Sequence, residues 1–360
     1  MRSIINILLL TFILLILQLH TQSQLLSYPK ILKQHKTFNK KNSIKIVNNV
    51  ADSGDGSLRQ TILDAVKGDT IIFDPTIFHP DSPSTIALTS GPLPEIIQGN
   101  LTIDASNAGV VVDGSALENS MGFTIASDSN SIRGLLIQHF SLDGIRIGEF
   151  NNPSFNCIGG NRKKGVGPNG EGNTIIGCGA SGIAIYGSDV INNLIIGNYV
   201  GIDTTGKATI PNGRGINIRA PYNIVGSIIP GERNIVSGNR DAGILIETIF
   251  GYSNVIIGNY IGIDATGTDS VGNGTGIMIS GAKYNTIGGD IPEYRNIISG
   301  NRVRGIEIRD IHSDSNAVTG NYIGTDATGT IALPNNGAGV VISEEQNIIL
   351  LVGTSQNIVI

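Results

Sequence analysis

The chain has no tryptophan, and only two cysteines occur in its 360 residues. Two thiols cannot form a zinc site unaided, nor staple a small disulfide-rich fold. Charge is scarce too: 24 Lys and Arg against 29 Asp and Glu leave a net −5. Phosphate backbones are held by clustered cations, so no nucleic-acid partner is expected, and no DNA or RNA motif is present. After the first 24 residues no apolar run approaches the roughly 20 residues that a bilayer core requires, so no membrane span is expected there. No cofactor motif and no metal-ligand spacing occurs. Glycine is abundant, with 48 residues. It follows no Gly-x-y period, which fits many tight turns and excludes collagen.

A repeat runs through most of the chain. The phrase Asn-x-Ile/Val recurs at Asn130, Asn156, Asn193, Asn223, Asn254, Asn285, Asn316 and Asn347, and the last five copies are spaced by 31 residues each. A second phrase, Gly-Ile-x-Ile, begins at Gly144, Gly182, Gly215, Gly243, Gly276 and Gly305, and its later spacings alternate between short and long. Two kinds of coil taking turns are expected of a solenoid. Side chains alternate along a strand, so Asn, Ile and the final Gly of Asn-x-Ile-x-Gly point the same way, assigned to the interior. Stacked laps then pile Ile on Ile about 4.8 Å apart. Asn at the strand starts tolerates left-handed backbone and can hydrogen-bond along its own column.

The chain opens as an export signal. Residues 1–24 carry one early cation, Arg2, an apolar run over 4–17 and a polar end, the pattern of a removable secretory signal peptide. The expected location is outside the cell or at its surface. Residues 25–43 hold Lys30, Lys33, Lys36, Lys40 and Lys41 and read as a solvated basic linker. The domain proper is expected over 44–360. Within it Ser57 and Gln60 make a capping-box pattern ahead of the apolar stripe Leu58, Ile62, Ala65 and Val66, and Gly68 follows. A capping helix over 57–67 should cover the open end of the solenoid. The stretch with Pro75, Pro80, Pro83, Pro92 and Pro94 admits edge strands at most. The last residues, Asn357-Ile-Val-Ile360, begin another strand phrase with no cap behind it. That end is expected to be cut short or to contact another domain or chain.

Two stretches carry a family resemblance. Gly56-Ser57-Leu58-Arg59-Gln60, followed by Gly68-Asp69-Thr70-Ile71-Ile72-Phe73, resembles the short N-terminal motif of many bacterial secreted and surface β-helix proteins, with Gly56 where that motif usually has Cys. Gly320-Asn-Tyr-Ile-Gly-Thr-Asp-Ala-Thr-Gly329 and its copies resemble the repeats of right-handed parallel β-helix proteins of the pectin-lyase-like superfamily. The resemblance implies an all-β, single-stranded, right-handed parallel β-helix with a short N-terminal capping helix. It leaves activity open, because that superfamily includes lyases, hydrolases, epimerases, adhesins and inactive scaffolds. The superfamily's catalytic motifs are not visible, so no family residue is carried over.

Candidate sites come from the residues themselves. In alternate coils Tyr199 and Asp203, Tyr260 and Asp264, and Tyr322 and Asp326 stand in one register, the tyrosines 61 and 62 residues apart. A ring beside a carboxylate suits a sugar, with the competing reading that Tyr packs under the Thr-Gly loop while Asp caps its turn. The Asp residues, two coils or about 10 Å apart, are too far separated to share one cation. A lyase would need a base and a cation, for which Arg133, His139, Arg146, Arg219, Arg309 and His312 are candidates. Each also reads as a solvated surface charge. Cys157 and Cys178 flank the basic insertion 161–172 and are either bridged or two buried free thiols. The expected function is a secreted or cell-surface scaffold that binds polysaccharide or a cell-envelope glycan. The alternatives are a polysaccharide lyase or glycoside hydrolase and an adhesin-like module.

Overall fold

The computed structural model describes residues 43–149, 151–343 and 347–350, the backbone of 358–359, and the isolated residues Ser23 and Leu25. Apart from Ser23, Leu25 and Ser43, the expected signal peptide and basic linker lie outside these residues, as does most of the C-terminal end. The strands form three parallel sheets of eleven, nine and nine members among the described residues. Each lap gives one strand to each sheet: Leu194–Ile196 to the first, Tyr199–Val200 to the second, Arg214–Arg219 to the third, then Ile224–Val225 to the first again. The chain is a right-handed parallel β-helix, the hand that parallel crossovers adopt.

The interior is a stack of aliphatic columns. Ile256 pairs in register with Ile287, and Ile287 with Val318, all fully buried in the main core. Asparagine columns line all three corners. Entering the first sheet, Asn254 donates its backbone N–H and its amide to Asn285 Oδ1 at 2.9 and 3.1 Å. Asn285 does the same to Asn316. A second column joins Asn198, Asn234, Asn259, Asn296 and Asn321 between the first and second sheets. A third joins Asn212, Asn239, Asn273, Asn301 and Asn335 between the second and third. Each carboxamide also donates to a main-chain carbonyl, as Asn285 does to that of Gly251 at 2.9 Å. The polar groups turned inward at each bend are thereby paired.

The coil alternation has a structural cause. Alternate laps insert a small hairpin after the second sheet, marked by the bridges Ile202↔Thr209, Ile263↔Ser270 and Thr325↔Ala332. These hairpins reach across the intervening lap and join one another. Ala265 N–H donates to the Gly206 carbonyl and Ala327 N–H to that of Gly267, both at 2.9 Å. The structural unit is therefore a pair of laps.

Helix α1 (Leu58–Asp64) closes the N-terminal end and buries Leu58 and Ile62 in the core. Ser57 Oγ accepts from Gln60 N–H, as a capping box requires, but the Gln60 side chain turns to Asp64 instead of reaching back. The helix stops three residues short of the expected 67, with Ala65 already extended. Arg59 ties the cap to the chain around it. It pairs with Asp52 at 2.6 Å and donates to the Gly91 carbonyl, while Asp52 accepts from Thr89 and Ser90. The proline-rich stretch is tied to the cap in this way. Its one strand in the second sheet, Ser84–Ala87, stands at that sheet's edge.

The two cysteines are free thiols, which decides against the disulfide. Cys157 lies on the outer face of the first sheet, packed beside Leu194 and its neighbours, whereas Cys178 is fully buried in the main core. The wall of the helix runs between them.

Candidate functional site

On the second sheet, the six side chains of the Tyr/Asp pattern are engaged by the hairpins. Asp203 accepts from the backbone of Lys207 and Ala208 at 3.0 Å and from the Thr205 hydroxyl at 2.8 Å. Asp264 repeats this with Thr268, Asp269 and Thr266, and Asp326 with Thr330, Ile331 and Thr328. Burial pushes these carboxyls up, but the hydrogen bonds win and hold all three below the ordinary range. The tyrosine rings carry stacked guanidinium groups, Arg162 on Tyr199 at 3.6 Å from the centroid, Arg233 on Tyr260 at 4.1 Å and Arg295 on Tyr322 at 4.0 Å. Hairpin glycines press on the same rings, for a Cβ on Gly206 or Gly267 would come within 3.1 Å of ring carbons. With Ile202, Ile235, Ile263 and Ile297, the tyrosines form a satellite apolar core outside the sheet. Their contacts are architectural.

The third sheet carries a different surface. Strands Ile145–Gly148, Ser181–Tyr186, Arg214–Arg219 and Ala242–Glu247 lie side by side, with Tyr186 in register with Arg219. Alternation turns Arg146, Tyr186, Asn217, Arg219 and Glu247 outward. Arg146 pairs with fully buried Asp143 at 2.6 Å and bonds Glu149. Its guanidinium carbon lies 5.2 Å from the Tyr186 ring centroid, and that of Arg219 lies 4.9 Å from it. Asn217 Nδ2 donates to the Tyr186 hydroxyl at 3.1 Å and to Glu247 at 3.0 Å, and Arg219 Nε donates to the same Glu247 oxygen at 2.7 Å. Burial holds the Tyr186 phenol above its ordinary value, helped by Asp143 and opposed by Arg219 and Arg146. At neutral pH this phenol is a hydrogen-bonding group and not a base.

The corner after these strands is exposed and aromatic. Tyr222 is 47% exposed and Phe250 44%, enough for both to offer a ring face to a ligand. Tyr222 meets Tyr252 edge-on at 5.3 Å. Beside them Ile249, Gly281, Lys283 and His312 line an open cleft of about 270 Å³. The corner thus sets an apolar rim and Lys283 beside the phenolic and charged groups of the adjoining strands.

No protein-family model and no curated protein matches the chain. Solved structures do. Pectate lyase Pel9A is similar at 14% identity and TM-score 0.48, over 88% of this chain and 79% of that one. The A-module of mannuronan C-5 epimerase AlgE4 of Azotobacter vinelandii is similar at 11% and 0.46, over 88% of each chain. Alginate lyase from Paenibacillus sp. str. FPU-7 is similar at 13% and 0.41, over 85% of this chain and 99% of that one. The likeness is one of fold.

The lyase candidates are dispersed by the fold. Arg133 is held by Asp104 at 2.6 Å and Glu171 at 3.3 Å on the first sheet, and His139 lies 3.5 Å from Asp113. Arg309 pairs with Glu307 and Asp310, further along the third sheet. Only Arg146 and Arg219 converge, through Tyr186. Tyr186 and Glu247 stand one residue beyond the Gly-Ile-x-Ile phrase, outside the repeat that the sequence makes plain. The next position reads Tyr186, Arg219, Glu247, Ser280 and Arg309 in successive copies, a polar column visible once the phrase is extended.

Proposed function

We propose that this protein is an exported β-helix, secreted or retained at the cell surface, that binds an extracellular polysaccharide or cell-envelope glycan along the outer face of the third sheet and the corner beyond it. The observation that carries this reading is the exposed aromatic edge, Tyr222 and Phe250, beside the Tyr186–Arg219–Glu247 network. Rings offer apolar faces to a pyranose, and the charged network offers donors and acceptors to its hydroxyls. Binding at such a surface needs neither cofactor nor metal.

A lyase is the second reading, favoured by one observation: two guanidinium groups flank a phenol, as stabilisation of a carboxylate-bearing intermediate would require. Against it, each of those cations is paired with a carboxylate, and the phenol is tuned away from acting as a base. Affinity electrophoresis through gels containing neutral or uronate polysaccharide tests the proposal. Retardation is expected with at least one glycan, weakened about tenfold in Tyr222→Ala, as for the loss of one stacked ring. Absence of retardation in every gel, or equal retardation of wild type and Tyr222→Ala, would contradict it. Ultraviolet-absorbing unsaturated products in the same incubations would establish the lyase instead.

A further inference from the structure

The outer face of the first sheet is apolar where a solvated solenoid wall would be polar. Leu194, Ile196, Ile224, Val255 and Ile257 all point away from the core and are nevertheless at most 6% exposed. One residue from far upstream sits among them. Leu25 is 6% exposed and belongs to the same apolar cluster, close enough to Gly289 that a Cβ there would lie 3.2 Å from Leu25 Cδ1. We infer that this face is a docking surface for the chain's own N-terminal segment, with Leu25 as its anchor.

Three observations favour this occupant over a foreign one. Leu25 is already seated on the patch. It lies just after residues 1–24, the stretch read as a signal, so removal of a leader there leaves the anchor on the protein. The connection also reaches. Seventeen residues separate Leu25 from Ser43, and extended they cover about 56 Å or more at roughly 3.3 Å each. Eight strand steps separate Thr286–Gly288 from Ile44–Val47 in the first sheet, or about 38 Å at roughly 4.8 Å per step. The basic linker thus has both its ends fixed on the solenoid, Leu25 on this patch and Ser43 on Asp69. Docking covers an aliphatic surface that would otherwise invite association between copies.

Native thiols report on it. Cys157 lies on this same face, in register with Leu194 and between the positions of Ser43 and Leu25 along the sheet, while Cys178 is fully buried in the main core. Burial pushes both thiols up to about 12, so both are expected to react slowly in the docked protein. The full-length protein and its Leu25→Asp variant are exposed to a maleimide, and the labelled peptides are identified. In the variant, Cys157 is expected to label about tenfold faster or more while Cys178 stays protected, because access controls thiol reactivity and the core is untouched. Ile224→Cys in both backgrounds supplies a second reporter at the centre of the patch and is expected to respond likewise. Equal labelling of both reporters with and without the Leu25 side chain would overturn the inference. If labelling rises at Cys178 as well, Leu25→Ala at lower temperature separates loss of docking from loss of fold, and parallel rates at Cys157 and Cys178 there would also count against it.

Discussion

Asn285 shows how much one side chain carries in this molecule. It accepts two hydrogen bonds from the lap before it and donates to Asn316 and to the Gly251 and Lys283 carbonyls. Asn285→Ala leaves two main-chain groups, the Asn254 N–H and the Gly251 carbonyl, buried without partners. At about 1–3 kcal/mol each, the loss should be about 3 kcal/mol in a urea unfolding titration. Tyr260 and Tyr222 make a contrasting pair. Tyr260 is 9% exposed under its hairpin and stacked by Arg233. Tyr260→Ala should cost about 3–5 kcal/mol of stability, as large buried aromatics do, and leave glycan retardation unchanged. Tyr222→Ala should do the reverse. The first asparagine column was legible in the sequence because its period is a constant 31 in the later coils. The other two were not: their spacings alternate, 36, 25, 37 and 25 for the second column and 27, 34, 28 and 34 for the third. One kind of lap carries the hairpin after the second sheet and the other a 3-10 turn before it, Pro230–Glu232 or Pro292–Tyr294; the two insertions balance between first-column asparagines and not between the others, so a search at one fixed period passes over both.

Among the elements, the N-terminal cap is the one most sensitive to acid. Asp52 is desolvated, which alone would raise its pKa, but bonds from Arg59, Ser90 and Thr89 hold it well below the ordinary range. Asp203 and Asp264 are lowered by their hairpin amides and threonines. A carboxyl depressed in the folded state contributes stability above its unfolded pKa and loses it as pH falls towards the folded value. Stability should therefore be level above about pH 5 and fall below about pH 4, where unfolded carboxyls take up protons. Asp52→Asn should be less stable at neutral pH and show a shallower decline, measured by urea midpoints between neutral and acid pH. The cap was foreseen from Ser57, Leu58 and Gln60, which act within one turn of chain. The partner of Arg59 was not, since the loop containing Gly91 meets it through the fold alone. For the same reason the Tyr186 network is not legible in the sequence: its members come from strands on four laps, and only stacking makes them neighbours.

For the molecule as a whole, the hairpin contacts make two laps the unit that can be gained or lost. Removing residues 203–263 joins Ile202 to Asp264 and brings one hairpin onto the next equivalent position. This shortened chain should fold cooperatively, with a denaturant slope reduced in proportion to the surface removed. Removing the single lap 254–284 leaves hairpins out of step, their Ala-to-Gly bonds unmade, and should fold less stably than the chain that lost twice as much. The reverse order of stabilities would contradict the two-lap unit.

Function at this scale is a choice of wall. The second sheet's outer face is filled by its own hairpins, and the first is covered where it is apolar, whereas the third presents paired charges and bare rings at its corner. Hydrogen exchange of the protein with and without a retained oligosaccharide tests that choice directly. Slowed exchange is predicted in strands Ser181–Tyr186, Arg214–Arg219 and Ala242–Glu247 and in the turns carrying Tyr222, Phe250 and Lys283. Slowing confined to the hairpins at Asp203, Asp264 and Asp326, with the third sheet unchanged, would contradict it.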